Sequence, residues 1–86
     1  MKFNSTPTRI YSIDPSGKLV AEITFPVVEG NTYCINHTFV DDSLAGQGIA
    51  GRLVQAAVDK IHANGGTVTA TCSYAVSWLQ KHPDQA

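Results

Sequence analysis

Asn36-His37-Thr38-Phe39-Val40-Asp41-Asp42-Ser43-Leu44-Ala45-Gly46-Gln47-Gly48-Ile49-Ala50-Gly51-Arg52-Leu53 passes from an extended apolar run, through a short acidic turn, into a glycine-rich corner that opens a helical pattern. The order is strand, loop, helix N-terminus. Glycines at 46, 48 and 51 leave no side chain where the backbone turns sharply or approaches a ligand. The first N–H groups of a helix have no intrahelical acceptor. Together with the positive end of the helix dipole, those amides predict an anion site. A Walker loop needs a Lys-Ser or Lys-Thr pair after its last glycine, whereas Gly51 is followed by Arg52-Leu53. A dinucleotide fingerprint needs a different glycine spacing and an acidic ribose partner about 20 residues on. Neither fits.

Downstream of the corner, Ile49, Leu53, Ala57 and Ile61 recur every four residues with Ala50, Val54 and Val58 beside them. Arg52, Gln55, Asp59 and His62 mark the opposite face, which predicts an amphipathic helix from Gly48 to Ala63. Asn64-Gly65-Gly66 is a left-handed helix stop. Thr67 to Cys72 then alternates Val68, Ala70 and Cys72 with threonines, as a strand does. Ser73 is placed to cap a short last helix through Lys81, with Ala75, Val76 and Leu79 inward and His82-Pro83 as its stop.

Upstream, the spacing predicts strands over Arg9 to Ile13 and Lys18 to Phe25, joined at the turn Asp14-Pro15-Ser16-Gly17. A third strand is expected from Thr32 to Val40, rich in aromatic and β-branched residues. Strand, helix and strand in succession favour a right-handed parallel crossover. The fold class is therefore α+β: a mixed, mostly antiparallel sheet with one main helix and a short C-terminal helix.

Eighty-six residues hold one domain with a small core, taken as 1–86. The net charge of -1 offers no general attraction to nucleic acid or to anionic lipid, and no apolar run approaches the roughly 20 residues of a membrane span. Met1-Lys2-Phe3-Asn4-Ser5-Thr6 lacks the apolar core of a signal peptide, so a cytoplasmic protein with free thiols at Cys34 and Cys72 is expected, as a monomer or weak dimer. No Cys/His spacing suggests a metal site.

The corner resembles the pyrophosphate-cradling motif of the GNAT superfamily of acetyl-coenzyme A dependent N-acetyltransferases. In that motif Arg or Gln, two variable residues, Gly, one variable residue and Gly or Ala follow a strand. Gly48-Ile49-Ala50 supplies the second half, and Ala45 stands where Arg or Gln is usual. The run Thr71-Cys72-Ser73-Tyr74, with Trp78-Leu79 and Lys81-His82-Pro83-Asp84, is similar to a small single-domain branch marked by a Cys-Ser-Tyr element and a terminal His-Pro. The likeness covers roughly Thr8 to Asp84. It implies a truncated form of the superfamily fold, without the helical lid after the first strand, and a shallow, open acceptor site.

The resemblance implies that main-chain groups of Thr38, Phe39 and Val40 pair with the pantetheine arm of acetyl-coenzyme A, the co-substrate. The amides of Gln47, Gly48, Ile49, Ala50 and Gly51 would hold the pyrophosphate, with Arg52 adding a charge-assisted contact. The tyrosine that usually protonates the departing thiolate is replaced by Leu79 when Ala75 is aligned with the alanine of that element. Cys72 falls where many relatives carry Asn, just before a helix N-terminus, where a thiol pKa is lowered; it is a candidate to take the acetyl group and pass it to an unidentified amine. His37, on the face of Ile35 and Phe39 if the strand alternation is unbroken, is a candidate base. Tyr74 is a further polar candidate. The competing readings are a buried, inert Cys72, a hydrogen-bonded sheet residue at His37 and a packing role for Tyr74. Two other function classes stand beside the transferase: a coenzyme A binding module or sensor with little turnover, and an interaction protein that has lost its ligand.

Overall fold

A computed structural model of the chain describes residues 1–85. Among them, β1 (Asn4–Thr6), β2 (Arg9–Ile13), β3 (Leu19–Thr24), β4 (Val27–Glu29), β5 (Thr32–Ile35) and β6 (His37–Val40) precede α1 (Ile49–Ala63), β7 (Thr67–Ala70) and α2 (Ser73–Lys81). Short 3-10 turns occupy Asp42–Leu44 and Pro83–Gln85. β1, β2, β3 and β6 form an antiparallel sheet in that order, and β4, β5 and β7 form a second ladder in which β5 and β7 are parallel. The expected parallel pair is present, and it belongs to this second ladder.

The strand expected over residues 32–40 is broken. Asn36 donates its N–H to the Thr24 carbonyl at 3.2 Å and accepts the Thr24 hydroxyl on Oδ1. This side-chain anchor, at a residue disfavoured inside strands, turns the chain from one ladder to the other. Thr32–Ile35 stays beside β7, and His37–Val40 leaves to pair with β3. The alternation therefore does not run through: Ile35 is fully buried, while His37 and Phe39 are exposed.

The β2–β3 turn forms as its residues dictate, with the Asp14 carboxylate accepting from the Ser16 N–H, the Ser16 hydroxyl and the Lys18 N–H. Ile49, Leu53, Val54, Ala57, Val58 and Ile61 bury one stripe of α1 against Ile10, Ala21, Ile23, Phe25, Ile35 and Val68. Burying each of the larger of these side chains, the Val, Leu, Ile and Phe residues, contributes about 1.5–3 kcal/mol. α1 then stops on a pair of bonds, Gly66 N–H to the Ile61 carbonyl (2.9 Å) and Gly65 N–H to the His62 carbonyl (3.0 Å), with Gly65 at φ +78°.

Two details of the last segment depart from expectation. β7 ends at Ala70, and Cys72, not Ser73, is the extended residue capping α2. α2 meets the rest of the molecule chiefly over β7, so Ala75 is buried and Leu79 half-buried, whereas Val76 lies 37% exposed.

Gly66 sets the approach of the two ladder strands. A Cβ there would lie 2.5 Å from the Tyr33 ring and 2.9 Å from the Asn31 carbonyl. Gly66→Ala is expected to cost about 2 kcal/mol by overpacking, lowering Tm by roughly 10 °C. An unchanged melting curve by circular dichroism would contradict this account of the β5–β7 packing.

Candidate functional site

β5 and β7 run side by side from Thr32/Thr67 to Ile35/Ala70 and then part. At the fork the N–H groups of Thr71 and Cys72 both donate to the Ile35 carbonyl, at 3.0 and 3.2 Å. Beyond it β6 swings toward β3 while Cys72 enters α2, leaving a V-shaped opening. β6 is the outer strand of its sheet on this side. The Asp41 N–H donates to the Val20 carbonyl at 2.8 Å and fixes the phase of the antiparallel ladder. By alternation, His37 and Phe39 direct their main-chain groups to β3, and those of Thr38 and Val40 point into the opening. Of the three residues of this strand expected to offer main-chain groups, Thr38 and Val40 have them directed outward and Phe39 does not.

β6 leads into the glycine corner through the turn Asp42–Leu44. Asp41 caps that turn, its Oδ2 accepting from the Ser43 N–H (3.1 Å) and the Ser43 hydroxyl (2.6 Å), and its Oδ1 meets Lys18 Nζ at 3.2 Å. Those contacts, the Ser43 hydroxyl foremost, pull the carboxyl pKa down to about 2. Gly46 and Gly48 sit at φ +81° and +70°, and a Cβ on either would meet nothing within 4 Å. Their surroundings form an open cavity of about 200 Å³, lined also by Val40, Leu44, Ala45 and Ala50.

Gly48 caps α1 in the left-handed conformation, without a capping side chain and with no acidic residue in the first turn. Arg52 N–H reaches back to the Gly48 carbonyl at 3.2 Å, so the amides of Ile49, Ala50 and Gly51 are those a helix start leaves unpaired. Gln47 is exposed beside them. Arg52 is exposed, with its guanidinium carbon 5.4 Å from the centre of the Phe3 ring.

Across the opening from β6, the Cys72 sulfur lies 3.5 Å from Thr38 Oγ1. Burial pushes its pKa up; the Thr38 hydroxyl, the Ala75 and Tyr74 amides at the start of α2 and the Thr38 amide together outweigh it, and the net pKa is below that of an ordinary thiol. The α2 amides act at a distance, because no hydrogen bond from a side chain caps the helix. Cys34 is buried, with its sulfur 3.7 Å from Thr71 Oγ1. Thr38→Val is expected to move half-maximal iodoacetamide alkylation of Cys72 to higher pH, since it removes the leading contact that favours the thiolate. Coincident alkylation profiles for the two proteins would show that Thr38 does not tune this thiol.

Cys72 and Tyr74 belong to one neighbourhood, and His37 to another. A Cβ on Gly51 would stand 3.4 Å from Tyr74 Oη and 3.8 Å from Trp78 Nε1, which puts two hydrogen-bond donors of α2 beside the first turn of α1. The sequence marks Trp78 only as part of the family resemblance and assigns it no chemical role. Its ring stacks on His82 at 4.0 Å between centroids, and His82 Nδ1 lies 2.8 Å from the Trp78 carbonyl at the end of α2. His37 is on the far face of the sheet, where its Nε2 lies 3.5 Å from Glu22 Oε1. Glu22 is the second residue that sequence reasoning missed, because nothing local marks it as a partner of His37. Among the described residues no group of three or more His, Cys, Asp or Glu is arranged to hold a metal, and no helix is long and apolar enough to cross a membrane.

A family model described as GCN5-related N-acetyl-transferase matches residues 10–86. The solution structure of a GCN5-like candidate N-acetyltransferase from Staphylococcus aureus is similar over 98% of this chain and 82% of that one, with 32% identity and a TM-score of 0.78. A candidate phosphinothricin N-acetyltransferase shares the fold at 19% identity and a TM-score of 0.66, over 92% of this chain and 54% of that one. Nourseothricin acetyltransferase does so at 10% identity and a TM-score of 0.61, over 91% and 48%. The chain thus spans about half the length of these two larger structures. No curated protein matches its sequence significantly.

Proposed function

The chain belongs to the family of GCN5-related N-acetyl-transferases, and from that premise we propose that it moves an acetyl group from acetyl-coenzyme A to an amine, with Cys72 as the intermediate carrier. The observation that carries this reading is spatial continuity. The unpaired amides at the start of α1, the outward main-chain groups of Thr38 and Val40, and the Cys72 sulfur follow one another along a single edge.

In this reading the amides of Gln47 to Gly51 hold the pyrophosphate by close approach, and Arg52 adds a charge-assisted contact. Ala45, on the cavity wall, leaves room there without supplying a charge. The pantetheine arm lies along β6 and pairs with Thr38 and Val40, so that the thioester reaches the mouth of the V. The Cys72 thiolate attacks the thioester carbonyl; a new C–S bond forms, the bond to the coenzyme sulfur breaks, and coenzyme A leaves as its thiolate. Charge is conserved, so this step needs no proton donor. Outward N–H groups of β6 stabilise the oxyanion, for which one such donor is worth about 3 kcal/mol. The amine then attacks acetyl-Cys72; the C–N bond forms, its proton passes to a base, the C–S bond breaks and the Cys72 thiolate is regenerated. In this reading Tyr74, whose Oη lies beside Gly51, hydrogen-bonds the departing coenzyme.

A second reading, a coenzyme A binding module with little turnover, is favoured by Leu79, an apolar side chain at the place of the usual acid. Titration calorimetry with acetyl-coenzyme A, followed by mass spectrometry of protein and added amines, separates them. Heat of binding with an acetylated amine supports the transferase, heat alone supports the module, and no heat overturns both.

A further inference from the structure

The sheet face opposite α1 carries a cluster that the proposed mechanism leaves unused. In the register of the antiparallel sheet, Ile23 faces Thr38 and Ala21 faces Val40 on the α1 side, so Glu22 with Phe39 and Thr24 with His37 occupy the other side. β2 adds Tyr11 opposite Glu22 and Arg9 opposite Thr24. Arg9 Nε meets Glu22 Oε2 at 2.5 Å, and its guanidinium carbon lies 4.0 Å from the centre of the Tyr11 ring. The other carboxylate oxygen faces His37 Nε2 at 3.5 Å. The Glu22 side chain is only 17% exposed, whereas that of His37 is 55% exposed, so the carboxylate is enclosed by its partners and the imidazole is open.

We infer that this face receives the acceptor amine, with His37 taking the amine proton and Glu22 positioning His37. The inference rests on the acetyltransferase reading and adds the acceptor side to it. Thr38 and Phe39 are consecutive on β6 and point to opposite sides, so a carbonyl held at this edge is met by Cys72 from the α1 side and by an amine from the Phe39 side. The negative charge of Glu22, 3.5 Å from Nε2, favours the imidazole tautomer with its proton on Nε2 and leaves the Nδ1 lone pair free. When the amine nitrogen bonds to the acetyl carbon, its proton passes to Nδ1, the C–S bond breaks and the sulfur departs as thiolate. Glu22 then faces an imidazolium, and Arg9 holds that carboxylate in place.

The face also defines an acceptor class. Arg9 already balances Glu22, so no unpaired acid waits for an ammonium ion, while the Phe39 ring, 36% exposed, offers a flat apolar flank. A weakly basic aromatic amine, uncharged at neutral pH, fits both features.

The test uses the intact protein, acetyl-coenzyme A and 4-methoxyaniline as the acceptor. His37→Gln is expected to lower kcat by about 100-fold, the size of a lost general base. Glu22→Gln is expected to lower it by about 10-fold through misplacement of that base, with affinity for coenzyme A unchanged in both variants. Long-range proton–nitrogen spectra of the His37 ring are expected to report Nε2–H in the native protein and a redistributed tautomer in Glu22→Gln, which a merely structural carboxylate would not produce. Native kcat in His37→Gln, or an unaltered tautomer in Glu22→Gln, overturns the inference while leaving the transferase standing. If the native protein binds acetyl-coenzyme A but acetylates no amine, the transferase reading falls, and the face is judged by titrating 4-methoxyaniline into the coenzyme-loaded protein. Shifts centred on Phe39 and His37 then uphold the face as a binding surface, and shifts elsewhere or none overturn it.

Discussion

Gly48→Val is expected to weaken coenzyme A binding by at least about 100-fold while the chain stays folded. Two charge-assisted hydrogen bonds lost from neighbouring amides amount to about 3 kcal/mol, which is that factor in affinity. Gly48 sits at φ +70°, where a β-branched residue costs about 1–3 kcal/mol. The Cβ itself meets no protein atom within 4 Å, so the added side chain is directed into the volume assigned to the phosphates. Gly48→Asn separates the two effects, because Asn tolerates the left-handed conformation. It is expected to fold like the parent and still bind poorly. Native affinity in a folded Gly48→Asn protein, measured by titration calorimetry, would remove the pyrophosphate from this corner.

The second large effect is all-or-none. Incubation with acetyl-coenzyme A is expected to add one acetyl mass to the native protein at Cys72, and hydroxylamine is expected to release it, since a thioester is labile where an acetylated lysine is not. Cys72→Ser is expected to lose the label and keep coenzyme A binding, because the corner proposed for the pyrophosphate consists of main-chain donors of another element. Cys34→Ser is expected to label normally, its thiol being buried behind Thr71. A hydroxylamine-sensitive label that persists in Cys72→Ser refutes Cys72 as carrier. Absence of label in the native protein with amine acetylation intact points to direct transfer.

Helices and turns were the legible part of this chain, because their signals are local. The four-residue recurrence from Ile49 to Ile61 and the Gly65-Gly66 stop specify α1 without reference to anything else. The break at Asn36 was not legible. Thr32 to Val40 reads as one strand because each residue suits an extended chain, and what divides it is the choice of partners, β7 for the first half and β3 for the second. That choice also set the face of His37, which the assumption of unbroken alternation misplaced. β4 escaped notice behind Pro26, and β1 because Asn4-Ser5-Thr6 has no apolar member. Val76 was expected inward on helical periodicity, yet periodicity says which residues share a side and not how much cover the rest of the fold supplies. At the candidate site the glycine corner announced itself through composition, whereas Glu22 and Trp78 are brought to their neighbours by sheet register and helix docking alone.

The chain contains a single tryptophan, and the contact of Trp78 with the Gly51 region gives it an optical consequence. Its indole nitrogen is close to the first turn of α1, and its ring is stacked on His82. Indole emission responds to nearby charge and to a stacked imidazole, so this fluorophore is seated beside the corner that α1 offers to an anion. Binding of coenzyme A at that corner, as proposed, is expected to change the emission of the unlabelled protein, and a stopped-flow trace at one wavelength would follow it in time.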